Sequence, residues 1–353
     1  MNAQIETAEL HGQPVLKLQT PDGAVALISL FGAQVLSWVP AGGEDRLYLS
    51  PDAVFDGATP IRGGVPLCFP QFAGRGPLPK HGFARNRLWE VSNTRAGKDF
   101  ALATLSLADD EASRAVWPHA FSAEMSVSIS GDRLDLELEV DNTGSTPFSF
   151  TAALHTYLKV REVEHLRIEG LRGLDYCDSA DGDAIKKETG VGVSIEAEMD
   201  RIYHNAPPTL LVREDSRAMG IHSQNFPDVV VWNPWEDKCA ALADMPASRT
   251  ALFVALNPAL TALAAALLLR ERLVARQWAP SSGVAATHLP SIRRSGSRER
   301  ASASAVRPST CTSPAGRSRW ALASRTGVSR VTVMPPMPST AASSERRPRR
   351  NSR

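Results

Sequence analysis

The chain has 353 residues, of which 43% are hydrophobic and 22% charged, and its formal net charge is +1. This length and composition allow the buried core of one large domain or two ordinary ones, and they exclude a wholly disordered polymer. The N-terminus lacks a basic segment followed by an apolar run, so we expect no signal peptide and a cytoplasmic location.

The first half of the chain carries short segments of alternating apolar and polar residues. Between residues 13 and 50 these segments are PVLKLQT, AVALISL, AQVLSWVP and DRLYLS, each bounded by Gly, Pro or Asp. The pattern resumes in LWEVSNT, FALATLSLA, FSAEMSVSIS and DRLDLELEVDNTG. A period of two residues predicts antiparallel strands with one face in the core.

The second half continues in the same way up to about residue 250. Strand-like segments are TAALHTYLKV, HLRIEGL, VSIEAEM, TLLVRED, AMGIHS and DVVVWNP, and no amphipathic helix of three turns is predicted there. More than a dozen short strands predict an all-β fold, and we expect one large antiparallel β-sandwich. A barrel has the same periodicity and stays open as an alternative at this point.

The apolar segment ALFVALNPALTALAAALLL follows. Its length suggests a membrane helix, but Asn257-Pro258 interrupts it and its flanks carry no anchoring pattern. We expect no membrane span, and we predict a buried strand followed by a short helix, or else a misread sequence.

The last 75 residues differ in kind from the rest. Residues 279–353 contain fourteen Arg, no Lys and two acidic residues, so their net charge is +12, whereas residues 1–278 carry −11. We therefore predict a folded domain over 1–278 and a disordered Ser/Arg/Pro-rich tail over 279–353. Such a tail can bind nucleic acid, but its composition is also typical of GC-rich DNA translated out of frame. We favour the second explanation and expect no nucleic-acid partner.

A stiff basic loop extends from residue 62 to residue 91, RGGVPLCFPQFAGRGPLPKHGFARNRLWEV. Its cations are Arg62, Arg75, Lys80, Arg85 and Arg87. Glycines permit close backbone approach and prolines restrict the chain between them. The loop can thus hold guanidinium groups against a phosphate or a ring of hydroxyls, although a solvated basic loop is the simpler alternative. It contains no nucleotide-binding glycine pattern.

Three further features carry candidate chemistry. His155 lies in the strand-like ALHTYLKV, where imidazole can act as acid or base near neutral pH or serve a structural role. Asp200 in EMDRIYHN is an acid near a turn, with an Arg201 salt bridge or a cap as the alternative. VVVWNPWEDK carries two tryptophans that suit either a sugar face or the core. The four cysteines form no CxxC pair, so we expect no metal site.

Three of these segments together, RGGVPLCFPQF…LPKHGFARNRLWEV, ALHTYLKV and VVVWNPWEDK, resemble the hexose-6-phosphate mutarotases, the glucose-6-phosphate 1-epimerase branch of the aldose 1-epimerase family. The resemblance covers roughly residues 10 to 245. It implies a galactose mutarotase-like β-sandwich, a hexose 6-phosphate as substrate, and interconversion of its α and β anomers without metal or organic cofactor. Opening and closing of the sugar ring would proceed through a carboxylate base and an imidazolium acid.

The resemblance also implies roles for individual residues. His155 in the word HTY corresponds to the catalytic histidine. Arg62 in RGG and Arg85 in HGFAR correspond to substrate-binding arginines, for which the phosphate is the natural partner. Lys80 stands where the family commonly has Gln, and it can donate a hydrogen bond or add charge. Asp200 corresponds to the acceptor for sugar hydroxyls.

One position departs from the family pattern. The general base is a glutamate in a late strand of the form V-C-V-E-P, and the counterpart here is FVALNP, with Asn257 in place of Glu. Because an amide has no useful basicity, the chain is expected to be either an epimerase of impaired activity or a sugar-phosphate-binding protein that has lost its base. An Arg-rich nucleic-acid-binding protein is a third hypothesis that rests on the tail alone. We expect a monomer.

Overall fold

The computed structural model describes residues 2–215, 217–246, 251–257 and 327–334; in the last two ranges, side chains are described only for Val254 and Val333. These residues form nineteen strands, two α-helices and three short 3-10 helices. The strands are β1 (Gln4–Leu10), β2 (Gln13–Gln19), β3 (Val25–Ser29), β4 (Gln34–Val39), β5 (Leu67–Cys68), β6 (Glu90–Ala96), β7 (Ala101–Ala108), β8 (Phe121–Ser130), β9 (Arg133–Asn142), β10 (Ala153–Lys159), β11 (Arg167–Glu169), β12 (Asp175–Asp178), β13 (Ala184–Lys187), β14 (Met199–Tyr203), β15 (Thr209–Arg213), β16 (Ala218–Gln224), β17 (Asp228–Asn233), β18 (Ala251–Asn257) and β19 (Gly327–Met334). The helices are α1 (Glu111–Val116) and α2 (Trp235–Ala240), with 3-10 turns at Ala84–Asn86, Val163–His165 and Ser179–Asp181.

The hairpin of β8 and β9 shows how the sequence pattern produces these strands. Buried and half-buried residues alternate along both strands, and Ser130 pairs with Arg133 at the turn. Gly131 has a φ of +56°, which the tight turn between the strands requires and which glycine adopts without steric cost. The alternating pattern therefore places one face of the hairpin in the core.

The described strands form three sheets in which every named pair is antiparallel. Four strands follow the order β1-β2-β3-β4, seven follow β13-β12-β14-β17-β18-β10-β5, and eight follow β11-β15-β16-β19-β9-β8-β7-β6. Residues of both larger sheets, such as Val231 and Leu154 of one and Leu136 and Met125 of the other, belong to the same buried core cluster. The predicted all-β antiparallel sandwich is confirmed, since two sheets enclose a shared apolar layer.

The predicted apolar strand after residue 250 corresponds to β18, and the helix expected after it lies outside the described residues. The segment VSIEAEM is largely not a strand, because β14 begins only at Met199 and Val193 makes an isolated bridge with Ile168. In the described part of the chain, no helix has the length and apolarity to cross a bilayer.

Part of the segment predicted to be disordered is a strand. β19, Gly327–Met334, lies between β16 and β9 and pairs with both. Its sequence GVSRVTVM is rich in β-branched residues, which favour strands, and Val333 is buried in the core. These eight residues depart from the prediction of a disordered tail over 279–353, because β16 and β9 each offer them backbone hydrogen bonds along one edge. The other residues of that tail, and the predicted boundary at 278, lie outside the described residues.

Candidate active site

The start of the basic loop is fixed by two glycines that have no room for a side chain. Gly63 has a φ of +124° and Gly64 a φ of +59°. A Cβ atom on Gly63 would lie 2.5 Å from the Tyr48 carbonyl oxygen, and one on Gly64 would lie 2.1 Å from the Val35 carbonyl oxygen. The close backbone approach therefore requires glycine at both positions after Arg62, and it fixes the point from which the Arg62 side chain projects.

Arg62 is tied to an acidic residue far away in the sequence. Its Nε and Nη2 donate to the two carboxylate oxygens of Asp244, each at 3.0 Å, and its Nη1 donates to the Tyr157 hydroxyl at 3.1 Å. Burial acts to lower the pKa of Arg62, but Tyr157 and Asp244 together raise it. Asp244 was missed by the sequence analysis, because no motif links it to Arg62. Arg62 is thus already neutralised by a bidentate carboxylate.

His155 lies in the middle of β10 on the face of the seven-stranded sheet that is turned away from the shared core. Its backbone N–H donates to the Pro66 carbonyl oxygen at 2.9 Å, which joins β10 to the basic loop. Its ring lies 4.9 Å from the Tyr157 ring and 6.1 Å from the Trp232 ring, measured between centroids. Burial lowers the pKa of His155 to about 4, with Arg85, Arg62 and Lys80 adding to the effect. The imidazole is therefore neutral at pH 7 in the free protein.

His81 is a second histidine of the site and was not among the predicted site residues. Its ring centroid lies 5.8 Å from that of His155, edge to face. The Ala73 N–H donates to His81 Nδ1 at 3.2 Å, and the Cys68 sulfur lies 3.1 Å from the same nitrogen. Because Nδ1 accepts, the proton of the neutral ring is on Nε2. The signal in the sequence was the word HGFAR itself, in which only Arg85 was singled out.

The environment of His81 holds it neutral. Burial lowers the pKa of His81 to about 3, and Arg85, His155, Lys80 and Arg62 contribute in the same direction. Burial also raises the pKa of the Cys68 thiol to about 12, so that this thiol keeps its proton and can donate it to His81 Nδ1. His81 and Gly82 have φ values of +68° and +67°, and a Cβ on Gly82 would lie 2.1 Å from the Phe69 carbonyl oxygen.

Within the part of the chain that the structure describes, Arg85 and Lys80 place positive charge at the site without a carboxylate partner. Arg85 lies in the Ala84–Asn86 3-10 turn and donates from Nη2 to the Lys80 carbonyl oxygen at 3.2 Å, while its buried Nε has no hydrogen-bond partner among the described residues. Neither side chain makes an ion pair among the described residues. Burial lowers the pKa of Arg85. By contrast, Arg75 is paired with Asp183 and Arg87 with Asp110.

Asp200 lies on β14 opposite Trp232 of β17. Its half-buried carboxylate makes no hydrogen bond or ion pair within the described part of the chain. Burial raises the pKa of Asp200, whereas Lys238, Arg75 and Lys80 act to lower it. The suggested Arg201 salt bridge is not formed with Asp200, because Arg201 pairs with Glu188 at 3.3 Å and lies over the Tyr176 ring. Asp200 therefore offers an acceptor to solvent or ligand.

The register of the seven-stranded sheet places these residues on one face. His155 pairs with Ala255, which pairs with Val230, and Tyr157 pairs with Phe253, which pairs with Trp232. Residues directly opposite one another project to the same side of a sheet. The structure thus brings His155 and Asp200 to the same face, and the basic loop supplies Arg62, Lys80, Arg85 and His81 around His155. Among the described residues, no group of three or more His, Cys, Asp or Glu is arranged to hold a metal ion.

The late strand that was expected to carry the base ends at Asn257. In the register of β17 and β18, Asn257 pairs with Asp228. Among the described residues, the site therefore combines two neutral imidazoles, positive charge from Arg85 and Lys80 that no carboxylate pairs with, and nearby carboxylates. This set can transfer protons to and from a bound anionic ligand.

Comparison with known proteins agrees with this geometry. Among solved structures, a "putative mutarotase" from Salmonella typhimurium superposes with a TM-score of 0.66 and 28% sequence identity, over 72% of this chain and 85% of that one. A galactose mutarotase-like protein from Clostridium acetobutylicum superposes with a TM-score of 0.60 over 76% of this chain and 92% of that one. At 14% sequence identity, this similarity supports the fold only. The fold is that of the galactose mutarotase-like β-sandwiches.

The sequence comparisons define the family. The aldose 1-epimerase family profile matches residues 14–265. A protein of Cenchrus ciliaris named "Putative glucose-6-phosphate 1-epimerase" is 36% identical over 246 residues, 66% of this chain and 74% of its own length. A protein of Escherichia coli K12 with the same name is 32% identical over 239 residues, 66% of this chain and 79% of its own. The chain belongs to the aldose 1-epimerase family, and the resemblance seen in its motifs is confirmed at that level.

Proposed function

We propose that this epimerase interconverts the α and β anomers of a hexose 6-phosphate, with glucose 6-phosphate as the substrate class named for its relatives. The observation that carries the proposal is the positive charge of Arg85 and Lys80 beside His155, which no carboxylate among the described residues pairs with. A buried guanidinium nitrogen without a partner is costly, and a phosphate oxygen would satisfy both its hydrogen bond and its charge.

We propose a division of the phosphate contacts that differs from the expected one. Arg62 and Arg85 were the expected pair, but both carboxylate oxygens of Asp244 already bind Arg62. We therefore assign the phosphate to Arg85 and Lys80. Arg62 instead holds the hydroxyl of Tyr157, whose ring lies against His155, so its role is to position the face that receives the sugar. Asp200 accepts hydrogen bonds from sugar hydroxyls.

Catalysis then follows from proton transfer at the hemiacetal. A carboxylate takes the proton of the C1 hydroxyl, the electron pair of that O–H bond forms the C1 carbonyl, and the C1–O5 bond breaks. His155, as imidazolium, gives its proton to O5. The aldehyde turns about the C1–C2 bond and the reverse transfers close the ring on the other face. Each general acid or base contributes about 10² to 10⁴ in rate.

Substrate binding can supply the protonated histidine. The cations Arg85, Arg62 and Lys80 help to lower the pKa of His155 in the free protein. A bound phosphate places negative charge among them and thereby raises the pKa of His155. The phosphate charge by which the substrate is recognised thus also favours the protonated form of His155 that acts as the general acid.

The experiment is NMR exchange spectroscopy of equilibrated glucose 6-phosphate, which measures α to β interconversion above the buffer rate. We expect acceleration with the phosphate and far less with glucose, because glucose cannot neutralise Arg85 and Lys80. His155→Gln should abolish the acceleration and leave binding in place. Binding of glucose 6-phosphate without any acceleration would favour the non-catalytic binding protein, which the comparisons do not support.

We further propose that the chain acts as a monomer in the cytoplasm, where a charged sugar phosphate is retained because it crosses bilayers poorly. Light scattering coupled to size-exclusion chromatography tests the first point. A dimer mass would contradict it.

A further inference from the structure

The proposed ring opening needs a carboxylate near His155, and residue 257 is an amide. The neighbouring strand offers one. Asp228 pairs with Asn257, two residues along from Val230, which lies in the same cross-strand row as His155 and Ala255. Because alternate residues of a strand share a face, Asp228 and Val230 project to the side of the sheet that carries His155.

The separation fits the reaction. Asp228 lies two strands and two residues away from His155 in this register. With about 4.8 Å between strands and about 6.8 Å between alternate residues, their Cβ atoms are about 12 Å apart. With Asp228 Oδ1 on His204, at the β14 side of β17, and Oδ2 turned toward β10, side chains that lean toward each other leave at least roughly 6 Å between imidazole nitrogen and carboxylate oxygen. The O5–C1–O1 unit of a sugar, with a hydrogen bond of about 2.8 Å at each end, spans a gap of this size.

Asp228 is also oriented by a neighbouring histidine. Its Oδ1 lies 3.3 Å from His204 Nδ1, and its side chain is 18% exposed. Because the ring N–H donates to one oxygen, the carboxylate is oriented, and it retains lone pairs for another donor. Its second oxygen makes no hydrogen bond within the described part of the chain. Asp228 is thus an oriented carboxylate with one oxygen left to accept the proton of a substrate hydroxyl.

The other carboxylates of the site are less suitable. Asp244 uses both oxygens on Arg62. Asp200 lies three strands from β10 in the sheet order, so its Cβ atom is about 16 Å from that of His155 by the same spacing. Asp228 is therefore the carboxylate best placed opposite His155.

We propose that Asp228 is the general base of this chain, positioned by His204, in the role that the resemblance assigns to a glutamate at residue 257. This inference rests on the proposed epimerase activity. Asp228 removes the C1 hydroxyl proton as His155 protonates O5, and each proton returns in the closing step, so no further reactant is consumed.

The test compares Asp228→Asn with Asp175→Asn in the NMR exchange assay. Asp175 is a matched control because it is an aspartate at the start of β12 in the same sheet, where its exposed side chain pairs with Lys187. We expect Asp228→Asn to lower kcat by at least about 10²-fold with KM within about threefold, and Asp175→Asn to match the wild type. Adding Asn257→Glu to Asp228→Asn should restore activity at least tenfold.

A chemical rescue separates a base from a structural residue. In Asp228→Ala, sodium formate should restore turnover in proportion to its concentration, whereas sodium chloride should not. Wild-type activity in folded Asp228→Asn, or a loss that neither formate nor Asn257→Glu reverses, overturns the assignment of Asp228 alone. Absence of acceleration by the wild-type chain overturns the proposed function, and Asp228 as base with it. If Asp228→Asn does not fold, the formate response of Asp228→Ala, or of Asp228→Ser, decides the question.

Discussion

Acidification should destabilise the fold in part through His155, and this effect can be isolated. Its pKa is about 4 in the folded chain, because of burial and three cations, against about 6.5 when unfolded. The unfolded state therefore binds a proton first as the pH falls. The contribution of His155 to stability is complete above pH 6.5 and is lost between pH 6.5 and 4. At 1.36 kcal/mol per unit, the loss reaches about 3 kcal/mol.

Urea unfolding at a series of pH values from 7.5 to 4 measures this loss. Carboxylates and His81 also titrate in this range, so the quantity of interest is the difference between the wild type and His155→Gln. The free energy of unfolding of the variant should fall less steeply with acid, by up to about 3 kcal/mol over the range. His165→Gln, which removes an exposed histidine, serves as the control and should keep the wild-type slope. Identical slopes for the wild type and His155→Gln would refute the argument that burial and the cationic loop hold this imidazole neutral.

Three further outcomes follow from the geometry. Arg85→Met should weaken glucose 6-phosphate binding, measured by calorimetry, about 10- to 100-fold. Arg87 is already paired with Asp110, so Arg87→Met should change the affinity less than threefold. Equal effects of the two substitutions would contradict the assignment of the phosphate to Arg85. Gly64→Ala should lower the free energy of unfolding, measured in urea, by more than about 2 kcal/mol. The added Cβ would lie 2.1 Å from a carbonyl oxygen, and the φ of +59° is strained for alanine. An unchanged free energy of unfolding would mean that the loop is differently placed. Cys68→Ser should keep kcat near the wild-type value because a hydroxyl can also donate to His81 Nδ1, whereas Cys68→Val, which removes the donor, should lower kcat. A lower kcat for Cys68→Ser than for Cys68→Val would exclude a role for the Cys68 thiol as hydrogen-bond donor.

The strands were largely predictable because their signal is local. In β8 and β9 each residue alternates between core and surface, and the sequence shows the same alternation. The segment VSIEAEM alternates equally well yet is mostly not a strand, since only Val193 finds a backbone partner, in an isolated bridge. Alternation reports which face a residue occupies if it pairs, and it carries no information on whether a partner strand is present.

The candidate site was predictable where a motif was long and distinctive. His155, Arg85 and Asp200 were predicted in this way and stay predictions as site residues; the structure places His155 and Asp200 on one face and Arg85 beside His155. Asp244 was not found, because its contact with Arg62 spans 182 positions and uses residue types that are common on any surface. His81 was passed over because a histidine in a glycine-rich loop has no period that reveals its neighbours.

The sequence alone determined the all-β sandwich, the stiff basic loop and the family, since these depend on local alternation, on Gly and Pro geometry and on whole motifs. Only the tertiary structure decided that Arg62 is neutralised by Asp244 while Arg85 has no carboxylate partner among the described residues, that His81 faces His155, and that Asp228 pairs with Asn257. Those facts depend on which distant strands are hydrogen-bonded and in what register. Cross-strand hydrogen bonds join backbone groups that all residues share, so the sequence carries little trace of them.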